Sequence, residues 1–183
     1  MNDVIIPDMK NLESLMNNII IPNEKKLEDL KQAIKSSGAD TIHILADFDR
    51  TLSYATQKDG TKISSVISVL RDNDYLSSEY SVQAKALFTK YHPIEINSEI
   101  SIQEKKKAMQ EWWTSHNKLL IQSGVNRKNL EKIVDSGVVR LRNGVKELLS
   151  YTNQMQIPFV IISSSGLGDT ISMILKKEKV LYD

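Results

Sequence analysis

Two short apolar runs stand out in a chain whose other apolar residues are mostly spaced as in helices. Residues 41–46 contain a nearly continuous apolar run that only His43 interrupts, and residues 159–162 form a second run after Pro158. Continuous apolar runs of this length are typical of parallel strands that are covered on both faces. The pattern therefore predicts two parallel strands of an α/β sheet.

Apolar residues at helical spacing predict helices before, between and after the two strands. The first of these helices would be capped by Asn23, run to about residue 37 and stop at Gly38. Pro93 is expected to break the chain after a helix at residues 78–91. Further helices are predicted at residues 61–71 and 101–122, after Asn126, after Gly144 and from about residue 169. Another helix is predicted near the N-terminus, because four apolar residues there have helical spacing: Leu12, Leu15, Met16 and Ile19.

Residues 53–138 lie between the two predicted strands and are dominated by helices. The alternation of strand and helix resumes near Val138. The sequence therefore predicts one α/β domain, formed by residues 1–52 and 139–183, with a helical insert at residues 53–138.

Composition narrows the class of protein without revealing its chemistry. The 183 residues suffice for one domain with a small insert, and contents of 40% hydrophobic and 26% charged residues are ordinary for a globular protein. A formal net charge of +1 gives no electrostatic argument for binding nucleic acid. The absence of cysteine excludes disulfides and thiolate metal sites. We expect a cytoplasmic protein without membrane contact, because the first residues lack a leader pattern and residues 19–22 are too short to span a bilayer.

The first predicted strand leads directly into Asp47 and Asp49. Chemistry in α/β sheets sits beyond the carboxyl ends of the strands, and extended residues two apart point the same way. Two carboxylates this close repel each other unless a cation or a shared proton relieves them, and Mg²⁺ is the natural oxygen-seeking cation. The alternative is that these aspartates only form a turn or a helix cap.

The second predicted strand leads into Ser163, Ser164, Ser165 and Gly166, and a helix follows. Small residues let backbone N–H groups approach a phosphate, and the N-terminus of the helix adds a positive potential. An ordinary turn with serine caps is the simpler interpretation of this loop taken alone. Together with the two aspartates, the loop favours a phosphoryl-transfer site.

Several segments resemble, in order, one family of enzymes. They are ADFDRTLS, YHPIEI, EWWTSHNKLL, LRNGVKELL and IPFVIISSSGLGDTI. With them the chain resembles the cytosolic pyrimidine 5′-nucleotidases of the haloacid-dehalogenase-like superfamily. The resemblance implies an α/β fold with a Rossmann-like haloacid-dehalogenase core, here incomplete, and a helical cap inserted after the first strand. It also implies Mg²⁺-dependent hydrolysis of pyrimidine nucleoside 5′-monophosphates through an aspartyl-phosphate intermediate.

The resemblance further implies roles for individual residues. Asp47 matches the catalytic nucleophile, and Asp49 matches the group that protonates the leaving nucleoside and then activates water. Mg²⁺ would bind the Asp47 carboxylate and the Asp49 backbone carbonyl. Ser164, and Ser165 through its backbone, match the phosphate-binding positions of motif II.

Two residues of the insert match positions that bind the nucleobase. Glu95 matches a carboxylate that accepts hydrogen bonds from the pyrimidine, and Trp113 matches an aromatic residue that stacks on the base. Glu95 could instead be a solvated charge at a helix end. Trp112 and Trp113 cannot both face one way on a helix, so one of them is expected in the core. His116 lies on the apolar stripe of the same helix and is expected to be a hydrogen-bonded core histidine.

Members of the family continue beyond the position that matches Asp183, with a motif III lysine on the phosphate and motif IV aspartates on Mg²⁺. The sequence leaves open whether the chain is a fragment, a truncated gene product or half of a split enzyme. We expect little turnover from these residues alone, and either self-association or binding of a chain that supplies the missing half. The alternative function is an inactive remnant that binds nucleotide or a partner chain. A general small-molecule phosphatase is disfavoured by the YHPIE and EWW segments.

Overall fold

The computed structural model describes residues 20–57, 59–63, 65–73 and 75–182. The chain divides into two units, Met1–Ile42 and His43–Asp183. The helix predicted near the N-terminus, from the spacing of Leu12, Leu15, Met16 and Ile19, lies outside the described residues.

Helix α1, Glu24–Ser37, forms most of the described part of the first unit. The side chain of Asn23 accepts a hydrogen bond from the Lys26 N–H at 2.9 Å, and Gly38 follows the helix with a φ of +81°. Both predicted ends are confirmed, because these residues act on backbone groups within one turn of the helix. A short 3₁₀ turn, Ala39–Thr41, comes next.

Two parallel strands form the sheet of the second unit, β1 at Ile44–Asp47 and β2 at Phe159–Ile162. Both strands were predicted, but β1 begins later than the apolar run suggests. The reason is local: the Thr41 N–H bonds to the Gly38 carbonyl at 3.3 Å, so the chain is still turning at that point.

Only one face of this sheet is covered within the described residues. On the covered face, three side chains pack against the core: Ala46, Phe159 and Ile161. On the other face Leu45, Val160 and Ile162 are 62%, 47% and 60% exposed. The expectation of two covered faces is therefore wrong for the described part of the chain, since the helices that pack on the sheet lie on one side of it.

The described residues between the strands contain four helices: α2 Val66–Asp72, α3 Ser78–Ile96, α4 Ile102–Gln122 and α5 Arg127–Ser136. Helix α6, Val145–Gln154, precedes β2, and α7, Gly168–Lys177, follows it. Helices α4 and α5 begin as predicted, with Ser101 and Asn126 each forming a reciprocal capping box. None of the described helices is long and apolar enough to cross a membrane.

Two of the predicted helix boundaries are wrong. Helix α2 begins at Val66 rather than near residue 61, because Thr56 and Lys62 pair in an antiparallel bridge and hold that segment extended. Helix α3 continues through Pro93 to Ile96. A proline lacks the N–H that a helix uses at that position, so one bond is lost, and because only three residues of the helix follow Pro93, any bend displaces its last turn alone.

The core of the second unit is built by helices and by the turn after β1. Among the described residues, its wholly buried large side chains are Phe48, Val66, Leu70, Tyr80, Ile133 and Thr170. Phe48 follows Asp47 directly, so the turn that carries the candidate aspartates is anchored in the core.

Candidate active site

The two candidate loops meet at the carboxyl edge of the sheet. Asp47 is the last residue of β1 and pairs in register with Ile162, the last residue of β2. The serines at positions 163–165 follow Ile162 directly. The pairing of β1 and β2 therefore starts the aspartate loop and the serine loop side by side, which is where ligands bind in parallel sheets.

An irregular turn, Phe48–Leu52, carries the chain away from β1. Its backbone is not helical in the middle, since Asp49 has φ −68° and ψ 117° and Arg50 has φ +65° and ψ 0°. A left-handed residue other than glycine is strained, and such residues persist where the surrounding structure holds them. The Arg50 N–H donates to Ser53 Oγ at 2.9 Å, which is one of the bonds that hold it.

The two carboxyl groups of this turn have different environments. Asp47 is exposed, and its Oδ2 accepts a hydrogen bond from the Thr51 hydroxyl at 2.9 Å. Asp49 is partly buried, and its Oδ1 accepts the N–H of Val66, the first residue of α2, at 3.0 Å. Burial raises the pKa of Asp49, the hydrogen bond from Val66 opposes this, and the charge of Asp47 raises it further. The turn thus places an exposed carboxyl group beside one whose acid form is favoured.

Asp47 and Asp49 fit one part of a divalent-cation site. Their mutual repulsion is the kind that a cation relieves, and carboxylate oxygen is the donor that Mg²⁺ prefers. No three His, Cys, Asp or Glu side chains in the described ranges form a group that could hold a metal ion. Since Mg²⁺ keeps several of its waters, these two residues would supply a fraction of its ligands.

Arg142 holds the turn, although the sequence analysis did not single it out. Its Nη2 donates to the Arg50 carbonyl at 2.8 Å, and its Nε donates to the Ser53 carbonyl at 3.1 Å. Its backbone N–H donates to the Leu52 carbonyl at 2.9 Å. All three acceptors are backbone carbonyls, which every residue carries, so no side-chain pattern could have indicated this contact.

The loop after β2 is braced by its own serines. Ser165 is 4% exposed; its N–H donates to Ser163 Oγ at 3.2 Å, and its Oγ accepts the Leu167 N–H at 3.4 Å. Ser164 is exposed. Of the two predicted phosphate-binding residues, Ser164 is therefore open to solvent, while the Ser165 N–H bonds inside the loop.

Trp113 of the helical insert reaches this loop. A Cβ placed on Gly166 would lie 2.8 Å from Cζ3 of Trp113, and Gly166 has a φ of +70°. Only glycine meets both demands without strain. The predicted base-stacking residue thus contacts the predicted phosphate loop.

Trp112 has different neighbours from Trp113. Its ring stacks on Tyr91 with centroids 5.9 Å apart and meets Phe88 edge-on at 6.0 Å. The two tryptophans therefore face different ways, as expected, but neither lies in the buried core, since both are half-buried.

Glu95 lies in the last turn of α3 and is exposed. Its Oε2 is 3.0 Å from Nδ1 of His92, one turn earlier on the same helix. The other oxygen of Glu95 is available to further donors. This position is compatible with recognition of a ligand and with a solvated charge at a helix end, the two interpretations made from the sequence.

Comparison with known proteins gives matches over most of the chain. A family model described as pyrimidine 5′-nucleotidase (UMPH-1) matches residues 50–183, so the match begins directly after Asp49. The 7-methylguanosine phosphate-specific 5′-nucleotidase of Gallus gallus is 31% identical over 151 residues, and that of Homo sapiens is 31% identical over 150 residues. Each match covers 82% of this chain, but 52% and 49% of the two relatives respectively. The chain therefore spans about half the length of the curated relatives it matches.

A solved structure has a similar fold. The crystal structure of cytosolic 5′-nucleotidase IIIB bound to cytidine matches with a TM-score of 0.81 at 22% sequence identity. The match covers 97% of this chain and 59% of that one. The likeness establishes a helix-rich α/β fold with a small parallel sheet.

Gly166→Ala should destabilise the protein more than Gly137→Ala. The two glycines have similar φ values, +70° and +66°, so both changes impose a left-handed alanine at a cost of about 1–2 kcal/mol. Only at Gly166 would the new methyl group meet Trp113, and overpacking of this kind costs a further ~1–3 kcal/mol. Urea denaturation measures both variants, and equal losses would refute the contact.

Arg142→Gln should lower the free energy of unfolding by about 1–3 kcal/mol, because two backbone carbonyls lose a charged donor. Arg140→Gln is the matched control. The Arg140 guanidinium lies 5.1 Å from the Tyr54 ring centroid, a contact worth about 0.5–1 kcal/mol when exposed. If thermal unfolding shows the Arg140 variant to be the weaker of the two, the clamp by Arg142 is wrong.

Proposed function

Since the chain belongs to the pyrimidine 5′-nucleotidase (UMPH-1) family, we propose that it carries the nucleophile, the acid and the phosphate loop of an enzyme that hydrolyses nucleoside 5′-monophosphates. The observation that carries the proposal is the pairing of Asp47 with Ile162, which starts both candidate loops at one sheet edge. The family is one of phosphoric monoester hydrolases.

In the proposed first step, an Asp47 carboxylate oxygen attacks phosphorus and the bond from phosphorus to the nucleoside 5′ oxygen breaks. Asp49 gives its proton to that oxygen, and an aspartyl phosphate remains on Asp47. The burial that raises the pKa of Asp49 supports this role, because it favours the acid form that the step requires. The Val66 hydrogen bond uses Oδ1 of Asp49 and fixes the carboxyl group against the start of α2.

In the second step, Asp49 takes a proton from water, which attacks phosphorus and releases phosphate from Asp47. The same residue acts as acid and then as base, so the site returns to its starting state. Mg²⁺, when bound by Asp47 and Asp49, would supply charge neutralisation for the anionic substrate. Ser164 and the backbone of Ser165 would bind the phosphate, and opening of the Ser165–Ser163 bond would free that N–H.

The same proposal includes a division of the chain into a core and a cap. Residues 1–52 and 139–183 would form an incomplete Rossmann-like haloacid-dehalogenase core, and residues 53–138 would form its helical cap. The contact of Trp113 with Gly166 supports this division, since it is where the insert meets the loop after β2. Cytoplasmic location, and self-association or a chain that supplies the remaining half, stay predictions.

The proposed substrate carries a pyrimidine, with Glu95 accepting hydrogen bonds from the base and Trp113 stacking on it. A second candidate substrate is 7-methylguanosine monophosphate. The relatives from Gallus gallus and Homo sapiens are named as 5′-nucleotidases specific for 7-methylguanosine phosphate. The chemistry of the two residues suits it as well. A methylated guanine ring is cationic, so it would attract both a carboxylate and the face of an indole ring. An inactive remnant that binds nucleotide is the alternative to either activity.

Asp47→Asn should abolish hydrolysis with little effect on the fold. It removes the nucleophile at constant side-chain size and should lower turnover by about 10⁴-fold or more. Asp59→Asn, at an exposed position in the same unit, is the matched control. Phosphate release from cytidine and 7-methylguanosine monophosphates, with Mg²⁺, is measured for the chain and for any longer product of the same reading frame. An Asp47 variant with a tenth of the activity of the parent would exclude the assignment.

Glu95→Gln should separate the two candidate substrates. The amide keeps an oxygen acceptor but loses the charge, so a cationic methylguanine should lose about 1–3 kcal/mol of transition-state binding and a neutral pyrimidine about 1 kcal/mol or less. Glu99→Gln changes an exposed carboxylate just beyond the same helix and serves as the control. The ratio of kcat/KM values for the two substrates is the readout. An unchanged ratio together with unchanged kcat/KM values would remove Glu95 from base recognition.

A further inference from the structure

Tyr80 and His116 form a hydrogen-bonded pair inside the helical insert. The Tyr80 hydroxyl lies 2.9 Å from Nε2 of His116, and the two residues are 0% and 6% exposed. Burial raises the pKa of the Tyr80 phenol, whereas burial and then the charge of Arg71 lower the pKa of the His116 imidazole. Both shifts favour the uncharged forms, so the pair is a neutral hydrogen bond in an apolar setting.

The imidazole of His116 also supports Trp113. The centroids of the Trp113 and His116 rings are 6.0 Å apart with planes inclined by 22°. The Tyr80 and His116 centroids are also 6.0 Å apart, and these two rings meet through the hydroxyl–Nε2 hydrogen bond. The three side chains therefore form a continuous chain of contacts: Tyr80 bonds to His116 through its hydroxyl, and the His116 ring lies beside the indole of Trp113. The last ring contacts Gly166 of the loop after β2.

Tyr80, at the inner end of these contacts, is held by its own hydrogen bonds and lies near the charge of Arg71. Arg71 is 9% exposed, binds Asp72 through Nε at 3.0 Å, and lies with its guanidinium carbon 4.1 Å from the Phe88 ring centroid. Tyr80 begins beside the Ser77 cap of α3, whose hydroxyl accepts the Tyr80 N–H at 3.1 Å. With its backbone and hydroxyl both bonded, Tyr80 is a rigid support for His116.

We propose that His116 is the positioning residue for Trp113: together with Tyr80 it holds the indole against Gly166, so that the nucleobase meets a ring of fixed orientation. His116 would not touch the substrate. The inference rests on the proposed function for the identity of what stacks on Trp113. It adds that base recognition depends on a buried pair of which the sequence pattern indicated only His116, as a core residue.

The first test reads Trp113 directly and needs no substrate. The chain has two tryptophans, so Trp112→Phe leaves Trp113 as its only indole. In that background, His116→Gln should move the emission of Trp113 to longer wavelength and lower its anisotropy, because the ring gains water contact and freedom. His43→Gln, the same change at an exposed histidine, should alter neither. An emission spectrum and anisotropy that do not respond to His116→Gln would overturn the proposal.

The second test separates positioning from general stability. Binding of cytidine 5′-monophosphate and of ribose 5-phosphate, which lacks the base, is measured by calorimetry with Mg²⁺ present. His116→Gln should raise the Kd for the nucleotide about tenfold and that for ribose 5-phosphate less than about twofold, since only the nucleotide uses the stacking surface. Equal losses for both ligands, or no loss for the nucleotide, would refute a positioning role.

One further variant and one control outcome keep the results distinct. If His116→Gln does not fold, Tyr80→Phe replaces it; this variant keeps the ring and removes only the hydroxyl, so it should shift both readouts in the same direction by less. If the parent chain binds neither ligand, the proposed function fails, and the emission of Trp113 still decides the role of His116.

Discussion

The parallel pairing of β1 with β2 is the contact on which the candidate site depends. Its register sets Asp47 beside Ile162, so that two loops distant in sequence leave the sheet at one edge. A shift of one residue would send the Asp47 side chain to the opposite face. The turn after β1 then has to hold its shape, and it does so through the buried Phe48 and the hydrogen bonds of Arg142 to its carbonyls. These contacts offset the strain of the left-handed Arg50, which costs on the order of 1–3 kcal/mol.

The helical insert contacts the carboxyl edge of the sheet at two points, through a hydrogen bond at one and a close aromatic contact at the other. Asp49 accepts the first N–H of α2, which ties a half-buried carboxyl group to the start of a helix. Trp113 lies against Gly166, where the missing Cβ lets an aromatic ring approach the backbone. The first contact opposes the effect of burial on the pKa of Asp49, the proposed acid, and the second brings an aromatic surface to the proposed phosphate loop.

The sequence alone determined several helix starts, the bounds of β2 and the approach of the two candidate loops, because these depend on local signals. The starts of α1 and α5 follow from Asn23 and Asn126, because a cap acts on N–H groups within the next turn and needs no distant partner. The strand β2 has the bounds of its apolar run, and the approach of Asp47 to the serine loop follows from the rule that parallel strands present their carboxyl ends together. The sequence also indicated that Trp112 and Trp113 face different ways, since adjacent residues on a helix point about a quarter-turn apart or more.

Tertiary structure decided what depended on distant partners. Pro93 is accommodated inside α3, and the bridge of Thr56 with Lys62 delays the start of α2; neither is visible in the spacing of apolar residues. The contact of Trp113 with Gly166 was settled by the packing of α4 against its neighbours. The clamp by Arg142 was settled by a fold that returns the chain to the turn after β1. Hydrogen bonds from a side chain to backbone carbonyls leave no trace in residue identity at the acceptor. Such contacts, which hold the site in shape, can be found only once the chain is folded.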